Sequence, residues 1–356
     1  MTKKTMNMHK KVIITGVTGQ DGSYMADYLL EVTSYDIYGV VRRASTNNYH
    51  NIKHLLNNKR FKLITADLTD SQSIDNIVRE YQPDYFINLA AQSFVGASWQ
   101  IPEQTFDIDA MGVIRCLEAI RKHAPNCRFY NAGSSEELGN VDYSPQDENH
   151  PLKPRSPYGA AKAAARHIVK VYRESYNLFA IQGLLYNHES PRRGEEFVTR
   201  KITKQIAKIK KALEYGYEFT PLELGNIYAK RDWSHAKDFV RGIWMMLNQE
   251  TPKEYILASG ETHTVKEFVE QSFKYADIKG YWGYKAKDFL EINEQFYSES
   301  GQILVKINPV FYRPAEVDLL LGDAKKIKSE LQWEPKISFN NLVKEMVFFD
   351  LGKNLV

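Results

Sequence analysis

The chain has 356 residues, 43% of them hydrophobic, enough to bury one large core or two moderate ones and too apolar for a disordered protein. Its 47 Lys and Arg nearly balance 44 Asp and Glu, for a net charge of +3, so no long basic face for nucleic acid is expected. No apolar run reaches membrane length, the polar start Met1 to Lys11 is no secretory signal, and Cys116 and Cys127 lack metal or disulfide spacing, which together fit a cytoplasmic protein with no membrane partner and no metal.

After a tail (residues 1–9), Lys11 to Thr15 is a short, β-branched, apolar run that reads as a strand. It ends in Gly16-Val17-Thr18-Gly19-Gln20-Asp21-Gly22, and Ser23 to Leu30 reads as an amphipathic helix. Strand, three glycines at a spacing of three, then helix is the context in which backbone N–H groups approach a pyrophosphate at a helix N-terminus. The alternative is a merely structural turn. The next strand, Asp36 to Arg42, bears on the nucleotide. An NAD site places a carboxylate about 20 residues past the glycines, whereas an NADP site places an arginine there. Here the position reads Val41-Arg42-Arg43-Ala44-Ser45 without an acid, so NADP fits better, against the alternative of an exposed basic pair.

A third strand, Phe61 to Ala66, delivers Asp67 and Leu68 to its C-terminal end, where the acid could meet an adenine amino group. A helix over Ser71 to Tyr81 leads to a fourth strand, Asp84 to Ser93, whose small residues around Leu89, Ala90 and Ala91 allow a cofactor close to the backbone. A helix around Thr105 to Lys122 and a strand from Cys127 to Ala132 follow, the latter ending in Gly133-Ser134-Ser135-Glu136-Glu137-Leu138-Gly139. Alternating strands and helices of this length predict a doubly wound parallel sheet with ligands at the C-terminal strand ends. Every polar cluster so far lies at such an end.

Tyr158 and Lys162 stand four apart in the first turn of a helix running to about Tyr176, and so share a face. A phenol has a pKa of about 10. A fixed cation beneath it favours the phenolate and would make Tyr158 a usable base. Alone the pair is a weak signal, since 22 tyrosines among 47 basic residues yield chance matches, and the bland reading is an aromatic packed on a lysine stem.

Downstream, a strand over Leu178 to Tyr186 runs into a polar stretch from Asn187 to Lys201 whose four cations suit phosphates. Two further clusters, Gly225 to Trp233 and Tyr312 to Glu316, complete the outline of an anionic ligand distinct from the dinucleotide, although each singly is a solvated loop. A helix (Lys237 to Leu247) and a strand (Glu254 to Ala258) are regular enough to return to the main sheet. The expected division is therefore residues 10–187 with 235–260 as the dinucleotide-binding Rossmann-type α/β unit, and 188–234 with 261–350 as a smaller, interleaved α/β unit that binds substrate.

The glycine turn, the Tyr158/Lys162 pair and the Ser-Ser-Glu after a strand resemble the extended short-chain dehydrogenase/reductases. Gly16 to Tyr24, Pro154 to Tyr158, Asn187-His188-Glu189-Ser190-Pro191-Arg192-Arg193-Gly194, Ala229 to Trp233 and Arg313 to Asp323 resemble GDP-mannose 4,6-dehydratases, a similarity spanning about residues 10 to 335. The resemblance implies that Tyr158 takes the proton of the sugar 4-hydroxyl while a hydride leaves C4 for NADP, and that Ser134, at a usual threonine, bonds the same hydroxyl. It implies that Glu136 removes the C5 proton and assists water loss from C6, with the hydride returned to C6; a loop shifted by one residue would exchange Glu136 and Glu137. By motif it further implies Gly16, Gly19, Gln20, Asp21, Gly22, Arg42, Asp67, Leu68, Leu89, Ala90, Ala91, Tyr158, Lys162, Asn187, His188 and Arg193 around NADP. The sugar nucleotide would meet Ser93, Ser134, Glu136, Asn187, Lys201, Lys230, Arg231, Arg313 and Glu316, with backbone near Val198, Leu224 and Gly225 framing the base.

Relatives associate through the loop after the second strand, so a homodimer or homotetramer is implied, with Arg43 to His50 near a neighbour's cofactor. The chain departs from the family pattern at Phe94 (usually His), Tyr228 (usually an acid), Ser234 (usually Gly), Leu138 (usually aromatic) and around Gly96-Ala97-Ser98-Trp99. Because residues 94 to 99 should lie near the sugar, GDP-mannose and the larger GDP-manno-heptose are both open as substrates. The competing readings are an NADP-dependent nucleotide-sugar reductase or 4-epimerase, which shares Tyr158 and Lys162 without needing Glu136, and an NADP-sensing binding protein without turnover.

Overall fold

A computed structural model describes residues 9–139, 141–284, 294–312 and 319–353. Its centre is a seven-stranded parallel sheet. The strands β1 (Lys11–Thr15), β2 (Asp36–Val41), β3 (Phe61–Thr65), β4 (Tyr85–Asn88), β5 (Arg128–Ala132) and β6 (Ala180–Leu185) stand in the order β6-β5-β4-β1-β2-β3, with Ile256–Leu257 paired outside β6. The chain runs outward from β1 to β3 and then returns to the other side of β1, so the order reverses between β1 and β4. Such a switch point opens a crevice beyond the strand ends, where open α/β sheets bind ligands.

Alternation along β1 shows why the sheet is covered twice. Val12 and Ile14 face a core shared with helix α1 (Gln20–Val32), the helix Ala236–Leu247 and Trp333, whereas Ile13 faces the helices Ser71–Tyr81, Gly112–His123 and Pro157–Tyr176. Strands buried on both faces read as near-continuous apolar runs, which is how a parallel sheet announces itself. The helix Ala236–Leu247 lies beside α1, and the Trp333 indole donates to the Asp238 carbonyl at 2.9 Å.

A second core gathers Ile202, Phe268, Phe273, Leu304 and Met346 between the helices Val198–Tyr215, Val265–Tyr275 and Phe339–Asp350 and a four-stranded sheet. That sheet runs Gly280–Tyr284, Glu294–Ser298, Ile303–Ile307, Leu222–Leu224. Two smaller pairings stitch the chain across the middle: Asn187–Glu189 lies parallel to Trp233–His235, and Lys230–Arg231 sits between His263–Thr264 and Leu319–Leu320.

Local departures from the expected elements have local causes. Helix α1 starts at Gln20, three residues earlier than expected, because Gly19 is extended enough to act as its N-cap. The expected strand Asp84 to Ser93 stops at Asn88. Beyond it the Leu89 and Ala90 N–H groups donate to the Thr15 hydroxyl, both at 3.1 Å, and the Gln92 N–H donates to Asp109 at 2.8 Å, so the backbone leaves the ladder. The expected helix near Thr105 carries a wide turn over Asp107–Met111 with i→i+5 character, a distortion that tends to mark functional sites.

Candidate active site

The glycine turn is shaped by contacts that only hydrogen atoms permit. Gly16 has φ +66°, and a Cβ there would stand 2.8 Å from the Ala90 amide nitrogen; at Gly22 it would stand 2.3 Å from the Gly16 carbonyl oxygen. Both separations are well inside contact distance, so the tight turn over β1 and the close packing of α1 demand glycine. No side chain caps the N-terminus of α1, and its first N–H groups are left to serve an anion. Arg42 and Arg43 are exposed just past β2. This cradle fits the pyrophosphate and 2′-phosphate of NADP.

Around this turn the side chains of Gln20, Asp21 and His188 bind one another. Gln20 Nε2 donates to Asp21 Oδ1 and to the His188 carbonyl, each at 3.0 Å, and its Oε1 accepts from Ser190 Oγ at 2.7 Å. His188 Nε2 lies 2.8 Å from Asp21 Oδ2. The stretch expected to bind phosphates is thereby split. Arg192 pairs with Asp27 at 2.7 Å and lies over the Tyr24 ring, and Arg200, 7% exposed, pairs with Asp350, so these two cations are engaged by the fold. Arg193 pairs with Glu189 at 3.1 Å and lies over Phe197. Asn187 keeps a buried Oδ1 without a protein partner, an atom placed to receive a donor from a ligand.

The catalytic candidates converge on the opposite side of the crevice. Ser156 caps the helix Pro157–Tyr176 through a 3.0 Å hydrogen bond from the Gly159 N–H, with Pro157 in the first turn; such a cap contributes about 1 kcal/mol and fixes the turn that carries Tyr158. Tyr158 is 8% and Lys162 3% exposed. Ser134, two residues past the end of β5, lies close enough to the Tyr158 phenol to favour its ionised form. Ser135–Glu137 forms a single helical turn, which leaves Glu136 half-buried and turns Glu137 inward, 0% exposed. Glu137 Oε1 accepts from the Ser134 N–H at 2.7 Å and from Gln182 Nε2 at 2.8 Å. It is thus committed to the interior.

The lowered phenol pKa expected from Lys162 is not what the structure shows. Burial, foremost, and then the carboxylates of Asp109, Glu136 and Glu137 push the Tyr158 phenol well above its usual value, against Ser134, which pulls it down. Lys162 Nζ stands 5.8 Å from the ring centroid and donates to the Ala132 carbonyl at 3.0 Å. Asp109 joins the site without having been expected there. It lies in the wide turn, 1% exposed, with its own pKa pushed up to about 6 by burial despite Lys162 and the Gln92 N–H. Its only signal in the sequence is an acid amid apolar residues of an otherwise amphipathic helix.

Of the remaining expected residues, Asp67 Oδ1 accepts from the Thr69 N–H and hydroxyl at 2.9 and 2.8 Å; Leu68 is buried, Leu89, Ala90 and Ala91 are half-buried at the rim, and Ser93 is exposed. On the far side, the helix Val198–Tyr215 begins without a side-chain cap, and Lys201 Nζ lies 3.6 Å from the Phe311 ring centroid. Burial pulls the Lys201 pKa down, with Glu223 opposing. A Cβ at Gly225 would stand 2.6 Å from the Phe311 carbonyl oxygen, next to buried Leu224. Arg231 is buried and Lys230 exposed on the same short strand. Arg313 and Glu316 lie outside the described residues.

A family model described as GDP-mannose 4,6 dehydratase matches residues 13–346. The GDP-mannose 4,6 dehydratase of Drosophila melanogaster is 47% identical over 96% of this chain and 86% of its own length; that of Yersinia enterocolitica is 46% identical over 96% and 94%. A dTDP-glucose 4,6-dehydratase of Streptomyces venezuelae, solved with NAD, shares the fold at a TM-score of 0.79 with 21% identity, covering 95% of each chain. The chain belongs to the GDP-mannose 4,6 dehydratase family and has the extended short-chain dehydrogenase/reductase fold.

Proposed function

We propose the following division of labour in this NADP-dependent GDP-sugar 4,6-dehydratase. Tyr158 takes the proton of the sugar 4-hydroxyl, and Ser134 holds the same oxygen as it becomes a ketone. Glu136 removes the C5 proton, made acidic by that ketone, and protonates the C6 hydroxyl as it leaves as water. Lys162 orients the Tyr158 turn through the Ala132 carbonyl. NADP, when bound, would supply the hydride acceptor for C4 and the donor for C6, and the proton that Tyr158 took from the 4-hydroxyl returns to C5, so the cycle consumes no reductant. The observation that carries this reading is the convergence of a hydroxyl, a carboxylate and a phenol: Ser134 and Glu136 are both close enough to Tyr158 to shift its phenol, beside a glycine cradle built for a dinucleotide. An acid at that point has no task in a simple reductase.

The glycines, Arg42, Asn187 and the rim from Leu89 to Ala91 hold NADP in this reading; Lys201, Lys230, Arg231, Arg313, Glu316 and the backbone at Val198, Leu224 and Gly225 hold the GDP moiety. An uncapped helix start beside Lys201 supports an anion there. Gln20, Asp21 and His188 then serve the cofactor by holding its cradle. Residues 10–187 with 235–260 form the dinucleotide unit and 188–234 with 261–350 the substrate unit. The separate cores support that division, although Ile327 and Trp333 pack into the first.

For the sugar we retain GDP-mannose and GDP-manno-heptose. Phe94 packs edge-to-face on Phe197 at 6.0 Å, an apolar wall at the position where the family usually has histidine. The loop from Arg43 to His50, exposed except at Tyr49, is the surface through which a homodimer or homotetramer of the cytoplasm would bring one subunit to another's cofactor. Mass spectrometry of each sugar nucleotide incubated with the protein and a trace of NADP tests the reaction. Loss of one water without stoichiometric NADPH is the expected result, and the faster-consumed sugar is the substrate. NADPH accumulating one for one would replace the dehydratase with a simple oxidoreductase.

A further inference from the structure

Four neighbouring strands, each apolar along most of its length, carry one polar side chain at the same level near the C-terminal rim. Thr15, Asn88, Asn131 and Gln182 are register partners across β1, β4, β5 and β6, and all are buried to 2% exposure or less. The Thr15 hydroxyl donates to Asn88 Oδ1 at 2.6 Å, Asn88 Nδ2 to Asn131 Oδ1 at 2.7 Å, and Asn131 Nδ2 to Gln182 Oε1 at 2.7 Å. Gln182 Nε2 donates onward to Glu137 Oε1 at 2.8 Å and to the Lys162 carbonyl at 3.0 Å. At the near end, Thr15 directly precedes Gly16 and accepts from the Leu89 and Ala90 N–H groups.

We propose that Glu137 is a positioning residue for the dehydration: as the end of this row it ties the Ser134 loop to the strand that carries the glycine cradle, through the same Gln182 amide that holds the Lys162 turn. The proposal rests on the roles assigned above to Ser134 and Lys162. Three features of the row carry it. Every hydrogen bond in it runs in one sense, each amide donating toward Glu137 while accepting from Thr15's side, so the members polarise one another. Well-packed apolar side chains at these five places would hold the sheet as well, because the net stability of buried hydrogen bonds is small; what they would not provide is a fixed register between the two sides of the crevice. Finally, Glu137 Oε2 and the Tyr130 hydroxyl are both buried without a protein partner, which suits a carboxyl group that keeps its proton.

The charged and titratable groups facing Glu137 are Arg166, Lys162 and Tyr158 on the Pro157–Tyr176 helix and Tyr130 on β5. Burial pushes its carboxyl up to about 8, against Arg166, the hydrogen bonds from the Ser134 N–H and Gln182, and Lys162. It is therefore uncharged at neutral pH and ionises on the alkaline side. Once ionised it raises the Tyr158 phenol further, opposing the phenolate the reaction needs.

The test is kcat, KM and bound NADP for the wild type, E137Q, E137L and Q182M with GDP-mannose and GDP-manno-heptose, the kcat series repeated from pH 6 to 9.5. E137Q retains the acceptor oxygen and is expected to keep kcat at pH 7 within about threefold, whereas E137L and Q182M lose kcat by about 10- to 100-fold, the scale of a misplaced catalytic group, at little changed KM and NADP content. The wild type's rise in kcat with pH flattens above about pH 8 as Glu137 ionises, and E137Q keeps rising. An E137L enzyme as fast as the wild type, or the same flattening above about pH 8 in E137Q, overturns the proposal; where E137L does not fold, the E137Q profile decides. A wild type that dehydrates neither sugar instead overturns the site assignment itself.

Discussion

His188 and Asp21, 167 positions apart in the chain, meet at 2.8 Å where the glycine turn touches the strand Asn187–Glu189. The other ring nitrogen of His188 faces the Tyr186 carbonyl at 2.7 Å, and the ring stacks on Phe239 with centroids 4.4 Å apart. Both nitrogens thus face acceptors, and only the imidazolium can donate to both. Burial lowers the His188 pKa, but the Asp21 carboxylate outweighs it and the net shift is upward from 6.5. Burial raises the Asp21 pKa, but His188, then Arg193 and Gln20, bring it below 3.8.

The pair's pH dependence follows from these directions. A raised histidine contributes fully below its unfolded value of 6.5 and loses that contribution as the pH rises through its folded pKa. A depressed aspartate contributes above 3.8 and loses that contribution as the pH falls through its folded pKa. The latch is whole between those values and weakens on the alkaline side. H188A should cost about 3 kcal/mol near pH 6, the low end for breaking a buried pair, because the Asp21 side chain stays 21% exposed. Denaturant titrations at pH 6 and pH 9 check this, the cost being smaller at pH 9.

Y158F removes the proposed base and leaves the ring in place. A kcat loss of about 100- to 10,000-fold is expected, the usual contribution of a positioned base, with sugar-nucleotide affinity within a few fold. Single-turnover kinetics with calorimetric binding separates the two quantities.

D109N removes the carboxylate that, after burial, does most to raise the Tyr158 phenol. The acidic limb of kcat/KM should therefore move to lower pH in this variant. Because Asp109 itself titrates near 6, the difference from the wild type grows above that pH. A limb that does not move would separate Asp109 from the base.

R42D places an acid at the position proposed to receive the 2′-phosphate of NADP. Loss of one charge-assisted contact, about 1.5 to 3 kcal/mol, corresponds to roughly 10- to 100-fold weaker NADP retention, with NAD binding improved. Cofactor content of the purified variant, read by absorbance after denaturation, measures it.

Features set by neighbouring residues are legible in the amino-acid sequence alone. Three glycines after a β-branched run can only be a tight turn under a helix, and positions four apart on a helix share a face whatever surrounds them. Hence the cradle, the Tyr158/Lys162 pair and the parallel sheet are all readable there. Asp109 is not, since its importance comes from a wide turn that brings it to Lys162 and Tyr158. Arg192 and Arg200 look like phosphate ligands in the sequence; Asp27 and Asp350, which occupy them, are distant in the chain.

The two adjacent glutamates divide the information most clearly. By itself the chain determined that a hydroxyl and an acid follow β5, that a dinucleotide turn follows β1, and that their strands lie in one sheet, because propensity and spacing are local properties. Only the tertiary structure decided that Glu137 turns inward to Gln182 and the Ser134 N–H while Glu136 stays half-buried. That choice depends on strand register and on which carboxyl finds buried donors, and both are fixed only when β1, β4, β5 and β6 pack side by side.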